Sequence, residues 1–191
     1  MKAVKVLIAL IALIVAGALL SCAGLPPPRG DSNALIVGYL AEDYPDGYFN
    51  LPPRTISQGI TLRFLNVSQN RRFTLKTRRG YFFFQSNGTD QYVLERYETE
   101  VQAPDGSKMR TGADLNRSFR AVPDSVVYLG HLTIVREKPR QAAVAGAPRT
   151  LYWTFDSRFD FQWAEEKARE FIRSRDADSE WLRYPMLRAE R

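Results

Sequence analysis

The sequence predicts a mainly β fold, namely a single antiparallel β-sandwich of seven or eight strands that is followed by an amphipathic α-helix. Two observations predict the sandwich. Between residues 33 and 156, short runs rich in β-branched and aromatic residues alternate with turn sequences at the spacing of sandwich or barrel strands. No repeat of fixed period appears, which argues against a solenoid or a propeller. A third observation predicts the helix, because beyond residue 157 the apolar residues recur at helical spacing.

The first predicted strands differ in their patterns. The run NALIVGYLAEDY, which starts at Asn33, is apolar at nearly consecutive positions, and this predicts a strand covered on both faces. The turn Pro45-Asp46-Gly47 ends it. The next two runs, GITLRFLNVS and RRFTLKTRR, alternate and therefore predict strands with one buried face. Their inward positions are Ile60, Leu62, Phe64, Phe73, Leu75 and Thr77.

The run GYFFFQSNGTDQYVLERYETEV has two β-favouring segments around Asn87-Gly88. Asn-Gly between strands is typical of a tight hairpin because both residues tolerate positive φ, so these two strands are predicted to pair with each other. Further strands are predicted in NRSFRAV, DSVVYLGHLTIV and RTLYWTFD. Strict alternation through the second of these puts His131 on the same face as Val127 and Leu129.

The last part of the chain, residues 157–191, predicts a helical segment. In DFQWAEEKAREFIRSR, apolar residues fall at steps of three and four, and Asp160 is the predicted N-cap. Acids early in this helix and arginines late in it match the helix dipole. The apolar stripe consists of Phe161, Ala164, Ala168, Phe171 and Ile172.

The N-terminal residues predict a signal peptide. Lys2 and Lys5 precede an unbroken apolar or glycine run over residues 6–20, which is short for a membrane span of about 20 residues. An uncleaved signal anchor is the alternative if the apolar run extends to Leu25. Residues 22–32 include three consecutive prolines, and they predict a semi-rigid tether between the membrane and the domain.

The residues Leu19-Leu20-Ser21-Cys22 resemble the lipobox of bacterial lipoproteins. The resemblance implies cleavage after residue 21, a diacylglycerol thioether on Cys22 and an acylated amino terminus. Ala23 stands where an aspartate would favour retention in the inner membrane. The resemblance therefore implies a cell-envelope location, on the periplasmic face of the outer membrane if the organism is Gram-negative.

The stretch from Val122 to Gly130, VPDSVVYLG, together with the aromatic run before it, resembles transthyretin-like or Ig-like β-sandwich modules of envelope lipoproteins. Asp124 and Ser125 replace the glycine that this stretch usually carries. The resemblance covers about residues 33–156. It implies a binding or structural role without enzymatic activity.

Charge and cysteine content exclude several function classes. Removal of residues 1–21 takes away Lys2 and Lys5 and lowers the formal net charge from +6 to +4, which is no nucleic-acid footprint. The single cysteine precludes an internal disulfide, and the single histidine precludes a histidine-rich metal site. Phosphate-binding glycine loops are absent, so we expect no cofactor. The oligomeric state is not predicted.

Basic residues around the third and fourth predicted strands form the best candidate for recognition. This basic cluster would contact an anionic surface or envelope polymer, because arginine suits phosphate. The alternative is a charged outer face that protects a sheet edge. The basic cluster consists of Arg63, Arg71, Arg72, Lys76, Arg78 and Arg79.

Two other function classes stay open. An envelope hydrolase would use His131 with Ser125, Asp124 or Asp114, or else a pair of carboxylates. We assign no catalytic residue, because no nucleophile elbow is present. A signal-anchored accessory subunit would dock on an envelope protein through its C-terminal helix. The candidate carboxylates are Glu95, Glu98, Glu100, Asp105, Asp114 and Asp124.

Overall fold

The computed structural model describes residues 25–28, 33–45, 54–102, 108–136, 157–162 and 165–189. These residues form two sheets, one α-helix and one 3-10 helix. The helix α1 spans Glu165–Arg175, and the 3-10 helix spans Glu180–Arg183. The strands are β1 (Asn33–Tyr44), β2 (Arg54–Ile56), β3 (Thr61–Asn66), β4 (Arg71–Lys76), β5 (Tyr81–Asn87), β6 (Gln91–Gln102), β7 (Lys108–Arg120), β8 (Ser125–Arg136), β9 (Ser157–Gln162) and β10 (Met186–Arg188).

The six-stranded sheet is built on β1 and β8, which pair in parallel along most of their length. Along the edge that is not used in the β1–β8 pair, each of these two long strands pairs with two shorter strands. Strand β1 pairs with β5 and then with β2, and β8 pairs with β10 and then with β9. The four-stranded sheet has the order β4-β3-β6-β7 and is antiparallel throughout.

The two sheets enclose a buried apolar cluster, which we call the inter-sheet core. Ile60, Leu62 and Phe64 of the alternating run are fully buried there, as predicted. Aromatic rings fill one end, where Phe64 lies 5.4 Å from Phe73 and 5.7 Å from Phe82 between ring centroids. The prediction of a mainly β sandwich with a C-terminal helix is confirmed.

A second apolar cluster, the helix-side core, covers the outer face of the six-stranded sheet. Ala168, Phe171 and Ile172 of α1 pack here, which confirms that part of the predicted stripe. Strand β1 is therefore buried on both faces, as its continuous apolar run predicts. Trp181 of the 3-10 helix is fully buried, and its Nε1 donates a hydrogen bond of 2.6 Å to the Pro26 carbonyl oxygen.

The same contact corrects the predicted tether. Leu25 is buried in the helix-side core, and Pro26 is bonded to Trp181. The Gln85 side chain also donates to the carbonyl oxygen of Pro27, at 3.4 Å. Over residues 25–28 the proline-rich stretch is thus part of the packed domain. It packs there because burial of the apolar Leu25 side chain against the apolar surface beside α1 is favourable.

The predicted hairpin at Asn87-Gly88 is wrong. Strand β5 pairs with β1 of the six-stranded sheet, whereas β6 pairs with β3 and β7 of the four-stranded sheet. Gly88 takes a positive φ of 28°, but Asn87 is not among the positive-φ residues, so the hairpin turn that needs both does not form. The turn signal specifies a reversal of the chain, while the pairing partner is set by which strand edges lie nearby.

Other differences concern pairing and element boundaries. Ten strands are described rather than seven or eight, and the β1–β8 and β8–β10 pairs are parallel rather than antiparallel. The turn-rich sequence from Lys108 belongs to β7. Asp160 and Phe161 lie in β9 and not in the helix, since β8 offers them a free edge beyond β10. The predicted strand in RTLYWTFD lies outside the described residues up to residue 156.

Candidate ligand-binding pocket

A pocket of about 500 Å³ lies between the two sheets, near the edge where β7 faces β8 and β10. Its volume is within the range of small-molecule sites. Apolar residues from both sheets form most of its wall, and the exposed Arg188 is one of its lining residues. The apolar wall includes Phe82, Leu94, Phe119, Leu129 and Leu132.

Strand irregularities border this pocket on both sheets. In the six-stranded sheet, Gly38 of β1 lies opposite two residues of β8, Leu129 and Gly130, and Gly130 has a φ of 92°. In the four-stranded sheet, Glu95 lies opposite two residues of β7, and one of them, Asn116, has a φ of 46°. Bulges of this kind bend a strand and redirect its side chains.

Gly38 sets the position of one pocket wall. The Phe82 ring lies against it so closely that a Cβ built at this position would be 2.4 Å from the ring Cζ. Phe82 lines the pocket and contacts the inter-sheet core at the same time. Any larger side chain at residue 38 would therefore push the ring out of its place and change the shape of the pocket.

The charged residues of the pocket wall are both arginines, Arg117 and Arg188, and no acid is among the lining residues. Arg117 occupies an inward position of β7, between the buried Leu115 and Phe119. Arg188 is the last residue of β10, opposite Tyr128 of β8. Residues paired in this way share a face of the sheet, and Tyr128 belongs to the helix-side core, so the pairing directs the Arg188 side chain to the helix side. Arg117 is therefore the arginine that faces the apolar wall.

Sequence reasoning missed both arginines and the pocket. One signal was present, since LNRSF carries Arg117 at an alternating position between two apolar residues that face inward. A charged residue at such a position is unusual for a packed sandwich. Arg188 had no comparable signal, because its strand is three residues long and follows a 3-10 helix.

His131 lies on the helix side of the six-stranded sheet. The bulge at Gly130 reverses the alternation, so His131 shares a face with Tyr128 instead of the predicted Val127 and Leu129. Its Nδ1 is hydrogen-bonded to the Tyr128 hydroxyl, and its ring stacks on Tyr39 at 4.4 Å. Burial, with a smaller contribution from Lys167, lowers the pKa of His131 below its ordinary value of 6.5.

The residues proposed for a Ser–His–acid arrangement do not come together. The Ser125 hydroxyl is buried and donates to the Val122 carbonyl oxygen at 2.6 Å. Asp114 belongs to the other sheet and pairs with Arg96 at 3.1 Å. The tyrosine ring and hydroxyl around His131 therefore account for its position without a nucleophile or an orienting acid.

The candidate carboxylates lie mainly in ion pairs on the outer face of the four-stranded sheet. Glu95 pairs with Arg72 at 3.1 Å and Glu98 with Arg96 at 3.3 Å. Glu100 pairs with Arg110 at 3.2 Å. A carboxylate pair for glycoside cleavage needs a cleft between its members, and these acids instead alternate with cations along a sheet surface. Asp105 lies outside the described residues.

The basic cluster is divided by the structure. Arg63 and Arg72 belong to the ion-paired face, where they lie beside Glu98 and Glu95. The other four members are exposed, and in the described part of the chain they form no ion pair. These four are Arg71, Lys76, Arg78 and Arg79. Binding of an anionic polymer by the cluster stays a prediction, and these four residues are the ones still available for it.

Buried polar residues also tie the two sheets together, which the sequence did not indicate. Glu42 of β1 is fully buried and accepts hydrogen bonds from the hydroxyls of Tyr97, at 2.7 Å, and Tyr44, at 3.2 Å. The Tyr92 hydroxyl donates to Ser86 at 2.9 Å. Burial raises the pKa of Tyr92, so this hydroxyl stays protonated at neutral pH.

Among the described residues, no helix is both long and apolar enough to cross a bilayer, and no three His, Cys, Asp or Glu side chains gather as a metal site. Cys22 lies outside the described residues. Comparison with known proteins gave no match, either to a protein-family model, to a curated protein or to a solved structure.

Proposed function

We propose that the protein is a lipid-anchored, non-enzymatic binding module of the cell envelope, attached to the membrane through acylated Cys22. The observation that carries its binding role is the pocket between the sheets, which combines an apolar wall with the inward-facing Arg117. Sites for small molecules typically have this combination of an apolar wall and a few polar groups. The lipobox-like residues before Cys22 support the attachment.

The packing of residues 25–28 supports a close approach of the domain to the membrane. Leu25 follows Cys22 by three residues and is already buried in the domain. Three extended residues span at most about 11 Å. An acyl group on Cys22 would therefore hold the side of the domain that carries Trp181 near the lipid headgroups.

Neither alternative function gains support from the described residues. Docking on a protein partner through α1 would need an apolar face left uncovered, but Phe171 and Ile172 are buried in the domain itself. Of the described residues, only Val67 and Val122 are large apolar side chains that are exposed. Hydrolase chemistry would need His131 or a carboxylate pair to face a cleft. His131 instead contacts Tyr128 and Tyr39, and the carboxylates of β6 lie in ion pairs on the outer face of the four-stranded sheet.

The test of attachment is the mass of the amino terminus of the protein purified from membranes. We expect a chain that begins at Cys22 and carries acyl groups. The variant Cys22→Ser should keep its signal peptide and lose acylation, whereas Ala23→Ser should be processed as the wild type is. An intact, unmodified Met1 in the wild type would contradict the proposal and indicate a signal anchor.

A further inference from the structure

We infer that the protein contacts the lipid bilayer with one end of the sandwich, through the exposed side chains of Val67 and Val122. This is the end at which β1 begins, and we call it the anchor end. The inference specifies how the module meets its membrane, and it rests on the proposed attachment through Cys22. It does not depend on the pocket or on a ligand bound there.

Strand pairing brings the ends of several strands together at the anchor end. In the six-stranded sheet, Asn33 of β1 lies opposite Asn87 of β5, and the Asp124 amide donates to the Asn33 carbonyl oxygen at 2.7 Å. The chain crosses between the two sheets here, through residues 88–90 after β5 and residues 121–124 after β7. These two connections and the turn between β3 and β4 therefore lie at the same end of the sandwich.

The exposed valines belong to these connections. Val67 is 44% exposed and Val122 is 38% exposed, and among the described residues they are the large apolar side chains that are exposed. The Val67 amide donates to the Gln91 carbonyl oxygen at 2.8 Å, and the Ala121 amide donates to that of Asp90 at 2.9 Å. Because neighbouring strands lie about 4.8 Å apart, the backbones of Val67 and Ala121 are separated by about 10 Å. Val67 and Val122 would therefore meet one membrane surface together.

The N-terminal segment also lies at the anchor end. The Gln85 side chain donates to the Pro27 carbonyl oxygen at 3.4 Å and to the Asn33 side chain at 3.2 Å, so residue 27 lies beside the start of β1. Cys22 precedes Pro27 by five residues, which span at most about 18 Å. The 12 residues of β1 span about 40 Å. A lipid on Cys22 would thus lie closer to the anchor end than to the opposite end, where β1 ends.

The helix side of the domain is the competing surface, because Trp181 also contacts the N-terminal segment. The described residues of α1 expose no large apolar side chain, and most of the side chains that they expose are charged. Charged groups stay in water or among the headgroups, whereas a valine gains free energy by moving below them. The exposed charged residues of α1 are Glu166, Lys167, Glu170 and Arg173.

Two arginines at the anchor end match the lipid phosphates. Arg71 at the start of β4 and Arg120 at the end of β7 are exposed, and neither forms an ion pair among the described residues. Two acids lie at the same end: Asp90 accepts a hydrogen bond from the Asn66 side chain at 2.8 Å, and Asp124 is exposed. Because these charges balance, entry of the valines and arginine–phosphate contacts hold this end at the membrane, rather than long-range attraction.

Fluorescent labels test the inference on the chain from residue 22 onward with Cys22→Ala. A histidine tag placed directly before residue 22 attaches it to phosphatidylcholine vesicles that contain a nickel-chelating lipid. Because no other cysteine is present, Val67→Cys, Val122→Cys and Gln58→Cys each carry one nitrobenzoxadiazole label. Gln58 is exposed shortly before β3, at the opposite end, and is the control. We expect a nitroxide lipid to quench the labels at residues 67 and 122 at least about twofold more strongly than the label at residue 58.

A charge substitution tests the role of the valines. With the label at residue 67, Val122→Asp should reduce the quenching roughly twofold, because a carboxylate is expelled from the acyl region. Gln58→Asp is the matched control and should leave the quenching unchanged. Equal quenching at residues 58 and 67 would overturn the inference, as would no quenching at residues 67 and 122 in the tethered, folded chain. The histidine tag replaces the acyl groups, so this result is independent of the mass of the amino terminus, and a failure of Cys22 acylation remains distinguishable.

Discussion

The two outer faces of the sandwich are covered by opposite means. On the six-stranded sheet, α1, the 3-10 helix and Leu25 form an apolar layer over Leu35, Val37 and Val126. On the four-stranded sheet, arginines and acids of β3, β4, β6 and β7 face outward in ion pairs. One face is therefore sealed by both ends of the described chain, and the other is covered only by its own charges.

The difference follows from the pattern of each sheet's strands. Strand β1 is apolar at consecutive positions, so its outer face would cost free energy in water unless another element covered it. Strand β3 alternates, and its outward Arg63 needs no cover. The C-terminal helix is therefore bound to its own domain, because β1 and β8 provide the apolar surface that it needs. Substitutions on the covered face should accordingly cost far more stability than substitutions on the charged face.

The largest effect is expected from Trp181→Ala on the covered face. Trp181 is fully buried and bonded to Pro26, so its removal should lower the free energy of unfolding by about 3–5 kcal/mol. Urea denaturation measures this change. Val67→Ala, which trims an exposed apolar side chain next to β3, is the control and should change stability by less than about 0.5 kcal/mol. Equal costs for both variants would contradict the comparison.

A smaller effect is expected from Leu25→Ala, which tests whether the N-terminal segment belongs to the domain. The buried Leu25 side chain should contribute about 2–3 kcal/mol to the free energy of unfolding. Pro27→Ala, at an exposed position of the same segment, should change it little. If Leu25→Ala leaves the urea midpoint unchanged, residues 25–28 act as a spacer after all.

The next effect is a dependence on pH that comes from the covered face. Because burial lowers the pKa of His131 below 6.5, the unfolded chain binds more protons than the folded one below about pH 6.5. Stability should therefore be complete above that pH and decrease as the pH falls toward the folded-state pKa. The titratable groups around the imidazole include Tyr39, Tyr81, Tyr128 and Lys167.

The variant His131→Gln isolates this contribution, since the chain has one histidine. Urea denaturation between about pH 7.5 and pH 5 should give a flatter profile for the variant than for the wild type. This range avoids most of the titration of exposed carboxylates. Parallel profiles in the two proteins would show that His131 has the same pKa in the folded and unfolded chains.

The smallest effect is expected on the charged face. Arg72 and Glu95 form an ion pair at 3.1 Å, but the Arg72 side chain is 63% exposed. A double-mutant cycle with alanine should give a coupling free energy of about 0.2–1 kcal/mol that decreases with added salt. Arg71→Ala, with no ion pair among the described residues, should show no coupling to Glu95. A coupling of several kcal/mol would mean that this face is as tightly held as the covered one.

Local sequence patterns were sufficient to predict the buried faces of those elements whose hydrophobic periodicity agrees with their burial in the structure. The double burial of β1, the inward face of β3 and the helical stripe of Ala168, Phe171 and Ile172 were all predicted correctly. The strand β9 was missed although Phe159 and Phe161 alternate, because the helical stripe was extended back to Phe161. Periodicity alone does not separate a short strand from the first turn of a helix.

The candidate site was beyond prediction, because its parts come from distant positions in the chain. Arg117 and Arg188 are 71 residues apart and meet the same pocket only because β7 and β10 lie at corresponding edges of the two sheets. The Asn87-Gly88 turn had suggested that β5 and β6 share one sheet. Their division between two sheets leaves β6 free to pair with β7, which carries Arg117.

The amino-acid sequence alone determined the sandwich class, the strands with one or two buried faces, and the resemblance of residues 19–22 to a lipobox, since each depends on neighbouring residues. The tertiary structure decided the parallel pairing of β1 with β8, the docking of Leu25 under Trp181, the side of the sheet that His131 occupies and the pocket with its two arginines. These features depend on which strand edges and apolar surfaces meet. A local sequence pattern does not show which distant residues will be in contact, so it cannot indicate the free energy that such long-range contacts contribute.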